Sequence, residues 1–184
     1  MNGHHSTATL LTSFSETTIK NAFTEIMNDE SLHVSFFKTA LTQAGATPRP
    51  KPTFKGLAQA SLMDFATLSG MLENTGVAAF LMVMPAISNK DYTAAAASIA
   101  TIEARHAGFV NAVLGKRLSG DGAFDKPTSH AEVIKAVSPF IESLNGGPNP
   151  ADALKNDIAI LNFALLLEYL EAEFYSINVP NLFR

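Results

Sequence analysis

A chain of 184 residues, 47% hydrophobic and 16% charged, can bury one sizeable core and is not a disordered segment, so residues 1–184 are expected to form a single domain. A net charge of −4 with no long basic run argues against nucleic acid as the main partner. The absence of cysteine excludes disulfides, thiolate metal sites and cysteine nucleophiles, so any metal must be held by carboxylate and imidazole, donors suited to iron, manganese or zinc.

The start, M-N-G-H-H-S-T-A-T-L-L, lacks the basic stretch and apolar core of a secretion signal. No apolar run reaches about 18 residues without a charge, so no membrane span is expected. The first helix is predicted from Glu16 to Ala44, with Ser15 as its cap and Gly45 as its stop. The connection A-T-P-R-P-K-P-T-F-K-G cannot be helical through its middle. A second helix is predicted from Leu57 to Met84, ending at Pro85, and a third from Asp91 to Leu114, closed by Gly115. Residues 116–153 form a mixed connection with a short helix over Ser129 to Leu144 that begins near His130. A fourth long helix covers Leu154 to Ile177 and stops before Pro180. Strand patterning is nearly absent, so the chain reads as all-α, a four-helix bundle with one long crossover and an extra short helix in the 116–153 connection.

Steps of three and four along each long helix define its inward stripe. On the first helix these positions are Ile19, Phe23, Ile26, Glu30, His33 and Phe37. The second offers Phe65, Ser69, Glu73, Gly76 and Phe80; the third Ile99, Glu103, His106, Val110 and Val113; the fourth Leu161, Leu165, Glu168, Glu171 and Tyr175. Acidic groups therefore fall on core positions of all four helices. An ionised carboxylate out of water without a partner costs several kcal/mol or stays protonated, and several together repel. Cations remove that conflict. In E-S-L-H and E-A-R-H the glutamate and histidine lie one turn apart on one face, so both can reach the same ion. One glutamate from each of two helices with Glu-x-x-His from each of two others is the donor set of dinuclear carboxylate bundles. Here those are Glu73 and Glu168, with Glu30/His33 and Glu103/His106. Glu171, one turn from both Glu168 and Tyr175, is either a further ligand or a charge partner. Asn74, Arg105 and Tyr169 are weaker candidates for groups that orient ligands, and Glu173 is expected in solvent.

The segments I-L-N-F-A-L-L-L-E-Y-L-E-A-E-F-Y, E-I-M-N-D-E-S-L-H-V, L-E-N-T-G-V-A-A-F and S-I-A-T-I-E-A-R-H-A resemble the ferritin-like domain of desiccation- and stress-related proteins, over most of the chain. By that resemblance Glu168 matches the ligand of the family's first helix, with Tyr175 seven residues on as the candidate catalytic residue. Glu30 and His33 match the second helix, Glu73 the third, and Glu103 and His106 the fourth. The order departs from the family: its first helix stands last here, so the helices run 2-3-4-1. That order implies a circular permutation, with Met1 and Arg184 at one end of the bundle, or a domain-swapped dimer in which residues 154–184 complete a neighbour.

Such a site implies two iron or manganese ions, with zinc as a third option, and a small oxidant such as dioxygen or peroxide. Glu30 and Glu103 are the expected bridges, Glu73 and Glu168 terminal ligands, and His33 and His106 one cap each; Tyr175 would donate an electron or a hydrogen bond. The resemblance implies ferroxidase-like or peroxide-consuming chemistry. The competing reading is a stress-related structural or interaction protein with no metal in use. A homodimer fits either, and a cage-forming iron store is disfavoured by the long 116–153 insertion.

Overall fold

The structure is a computed structural model and describes residues 15–183. Four long helices carry it: α1 (Glu16–Gln43), α2 (Leu62–Val83), α3 (Lys90–Val113) and α5 (Asp157–Leu182), with a short α4 (His130–Val137). Each begins at a side-chain cap. Ser15, Ser61, Asn89, Ser129 and Asn156 each accept from a backbone N–H two or three residues on, which satisfies a donor the helix leaves unpaired. Ser129 and Glu132 complete a reciprocal capping box. α1 and α3 are followed by Gly45 and Gly115 at φ +73° and +68°, the left-handed turn a glycine takes without strain.

Four predicted boundaries are corrected. Helix α2 starts at Leu62, not Leu57, because residues 55–60 run along α5: Asn178 accepts from Gln59 N at 2.8 Å and donates to Leu57 O at 2.9 Å. The short helix ends at Val137. Pro139 follows in a 3₁₀ turn (Ser138–Phe140), and β2 (Ile141–Ser143) then pairs antiparallel with β1 (Thr53–Phe54). This small ribbon was not legible as alternation. Helix α5 starts at Asp157, three residues late, and continues through Pro180 to Leu182; the Asn181 amide donates to Ile177 O at 2.7 Å in the turn that proline weakens.

The aromatic contacts fix the directions. Phe23 near the start of α1 meets Phe65 at the start of α2, Phe109 late in α3 and Phe183 beyond α5, with centroids 4.7, 5.4 and 5.5 Å away. At the opposite end Asp157 accepts from the backbone N–H groups of Ser88 and Asn89, both at 2.8 Å. So α1 and α2 run one way, and α3 and α5 the other. Two connections, not one, therefore traverse the bundle. The 44–61 segment does so along α5, bonded to Asn162 through Arg49 and to Asn178 through Gln59, roughly 24 Å apart on the helix. Residues 116–153 make the second crossing.

Helix α1 packs chiefly on α5 of the same chain, and α2 on α3. Leu62–Ala86 has the length and hydropathy to cross a membrane, interrupted by Asp64 and Glu73, and half of its most apolar window is buried inside the bundle. The expected juxtaposition of Met1 and Arg184 lies outside the described residues.

Candidate metal centre

Helix periodicity turns Glu30, Glu73, Glu103 and Glu168 into the bundle axis, all four fully buried, with His106 buried beside them. Each of the two Glu-x-x-His helices presents its pair one turn apart, and the four helices bring these groups to one level. Ligand atoms of Glu30, Glu73, Glu103 and His106 lie within 4.8 Å of one another, as do those of Glu30, His33, Glu103 and Glu168. Glu30 and Glu103 belong to both groups. The Nδ1 of His33 stands 3.3 Å from Glu30, 3.2 Å from Glu103 and 3.2 Å from Glu168. His106 Nδ1 is 3.0 Å from Glu30 and 3.4 Å from Glu73.

These approaches leave much unsatisfied. Glu30 Oε1, Glu73 Oε2, both oxygens of Glu103, Glu168 Oε1 and His106 Nδ1 are buried and make no well-aligned hydrogen bond. Buried polar atoms are almost always paired, so six orphans at one point need an explanation. A cation fits: every orphan is a donor atom for a hard or borderline metal, and the set contains no sulfur.

The electrostatics show the same strain. Burial would raise the Glu30 carboxyl, but the close approach of the His106 and His33 rings pulls it down to about 2. Burial pushes Glu168 up to about 8 despite its bond to His33, and it raises Glu73 and, further, Glu103, where the Glu30 charge adds to the effect. Burial opposes charging of the histidines, yet their carboxylate partners win: His106 rises to about 11 and His33 rises strongly. Without a cation, some carboxylates stay protonated and the imidazoles take their protons.

Around this core, the Tyr175 hydroxyl donates to Glu73 Oε1 and shares a 2.6 Å hydrogen bond with Ser69. Its phenol is fully buried and raised well above the usual range by burial and the Glu73 charge. Asp29 accepts from His106 Nε2 at 3.2 Å and so turns Nδ1 toward the carboxylates. A Cβ at Gly76 would stand 3.0 Å from a Glu103 oxygen and 3.4 Å from a Glu171 oxygen, so the absent side chain leaves room for both carboxyls. Glu171 is buried at this spot, its carboxyl driven well up by burial and by Glu103, but it belongs to neither ligand group. A surface cleft of about 260 Å³, lined by Leu32, Phe36, Ser98 and Ile102, reaches His33 between α1 and α3.

Three residues here were not read from the pattern. Asp29 is visible in the sequence as the acid before Glu30, whereas Ser69 and Gly76 stand there only as small positions on the stripe. The weaker candidates do not reach the ligands. Asn74 exchanges 3.1 Å bonds with Asn111, Arg105 is exposed, and burial raises the Tyr169 phenol beside Lys51 and Arg49. Glu173 pairs with Lys51 at 2.7 Å at the surface. His130 opens α4 and contacts Pro150 O, while His4 and His5 lie outside the described residues.

A family model described as ferritin-like domain matches residues 2–116, more than half of the chain and all of α1, α2 and α3. No curated protein and no solved structure matches the chain. Glu168, Glu171 and Tyr175, on α5, stand outside the matched span.

Proposed function

The chain belongs to the ferritin-like domain family, and from that premise we propose that it binds two iron or manganese ions and acts on dioxygen or peroxide, or handles the metal itself, in stress protection. The observation that carries this reading is the six orphaned donor atoms on four helices. Glu73 and His106 would hold one ion and His33 and Glu168 the other, with Glu30 and Glu103 shared because both lie in each ligand group. Iron or manganese supplies redox chemistry toward small oxygen species at such a site. The protein's part is to orient the ligands, keep bulk water out, and leave a path for a small reactant at the His33 cleft. Tyr175 would hold Glu73 through its hydroxyl and is the nearest side chain able to give a hydrogen atom.

We further read the chain as a permuted member of the desiccation- and stress-related branch. The motifs of α5 match that branch's first helix, and Phe23 stacks on Phe183, so the start of α1 and the end of α5 meet as an opened hairpin would.

A second reading, a stress-related bundle with no metal in use, draws on the two histidines, whose positive charges could offset two of the carboxylates. It leaves two positive rings facing four buried carboxyls, and six donor atoms still without a well-aligned hydrogen bond. Metal analysis of the purified protein, alone and after loading, separates the readings. Two ions per chain are expected, falling below one in Glu30→Ala, which removes a residue of both ligand groups, and to about one in His106→Ala, with a lower melting temperature for both. Metal-free protein whose variants are at least as stable as the parent would overturn the proposal.

A further inference from the structure

The buried orphan atoms of the described residues include one outside the metal centre: Arg49 Nε. Arg49 sits on the 44–61 crossover and is 3% exposed. Its Nη1 donates to Asn162 O at 3.3 Å and its Nη2 to Pro148 O at 3.2 Å. These are carbonyl dipoles, not charges. Among the described residues no carboxylate lies within the 4.0 Å of an ion pair, and residues 1–14 contain no aspartate or glutamate. A guanidinium taken out of water without a counter-charge costs several kcal/mol, and burial lowers Arg49 to about 10. A clamp between Pro148 and Asn162 needs only hydrogen-bond donors, which a neutral amide supplies without burying a charge.

Arg49 lines a cleft of about 450 Å³ bounded by the 148–156 loop and the first turns of α5. That size falls within the range of small-molecule sites. Leu154, Ile158 and Phe163 give it apolar walls, and the exposed Asp152 stands at its rim, outside ion-pair range of Arg49. The cleft is separate from the metal centre: Asn162 lies six residues, roughly 9 Å along α5, before Glu168.

We propose that this cleft binds a small organic monocarboxylate, its charge met by Arg49 and its short apolar body by Leu154, Ile158 and Phe163. One buried positive charge balances a single carboxylate, whereas a polyanion would set its excess charge against Asp152. The apolar walls favour a carbon chain over an inorganic ion. The site stands on Arg49 and its cleft alone and does not depend on the metal reading.

Calorimetry and thermal denaturation of the full chain, with hexanoate as probe and hexanol and phosphate as controls, test this. One hexanoate per chain is expected, with a raised melting temperature and at least tenfold weaker binding of both controls. Arg49→Gln keeps amide donors but loses the charge, and should weaken hexanoate at least tenfold. Should that variant fail to fold, Ala153→Trp fills the cleft from an exposed loop position and should abolish binding with the melting temperature unchanged. Hexanoate binding no tighter than hexanol would overturn the proposal. So would hexanoate binding that survives Ala153→Trp, since the carboxylate would then sit elsewhere, the metal centre included.

Discussion

The two halves of the centre are built from the same motif and finished differently. On the His106 side the ring is 7% exposed, its Nε2 is held by Asp29, and the facing Glu73 is fixed by Tyr175, itself tied to Ser69. On the His33 side the ring is 12% exposed, its Nε2 has no protein partner among the described residues, and it lines a surface cleft. Outer partners lock a ligand's tautomer and direction, whereas an imidazole without them can shift when a reactant arrives. One half is held on its outer side and the other opens on a surface cleft.

The largest test of this contrast removes ligands. Glu103→Ala should lose both ions, because Glu103 lies in both groups, whereas Glu168→Ala should lose only the ion on the His33 side and retain one per chain. Metal counting by mass spectrometry reads the difference, and loss of both ions in Glu168→Ala would break the two-site assignment. Next, Asp29→Asn should weaken metal binding roughly 10–100-fold at the His106 side alone. A titration followed by metal-dependent absorbance should then resolve a tight and a weak step.

Protons should separate the metal-free protein from the loaded one. Glu168 at about 8 and His106 at about 11 both sit above their ordinary values of 4.5 and 6.5, so the folded state holds extra protons. Their contribution is complete below those ordinary values and is lost as pH rises through about 8 and then about 11. Glu30, at about 2, works the other way and loses its contribution only as pH falls from 4.5 toward 2. The chelated protein should therefore melt progressively lower from pH 6.5 to 9. The loaded protein should gain over the lower part of that range, because ligands must shed protons to bind metal. Parallel slopes in the two forms would remove the metal from the account. The smallest effect is expected from Ser98→Phe at the mouth of the cleft. Metal content should be unchanged and peroxide consumption by the loaded protein slowed several-fold; an unchanged rate would place the entrance elsewhere.

Most of the site was legible from spacing because a helix repeats every 3.6 residues. An acid in step with Ile19, Phe23 and Ile26 must point where they point, and Glu30 does. Outer partners were harder to read. Asp29 lies one residue out of that stripe and reaches His106 only because α3 packs against α1, and Ser69 meets Tyr175 across 106 residues. Boundaries failed where distant contacts outweighed local preference. Leu57 had helical neighbours, but its carbonyl bonds to Asn178, and Ile141–Ser143 became a strand because Thr53–Phe54 lay beside it.

By itself the amino-acid order determined the four helices, their caps and the inward direction of six candidate ligand residues, since each follows from local dihedral preference and periodicity. Only the tertiary structure decided which glutamates lie in both candidate groups, which histidine is held and which faces a cleft, and that Arg49 is buried with no carboxylate in ion-pair range among the described residues. Those outcomes depend on distances between helices far apart in the chain, which no local pattern encodes.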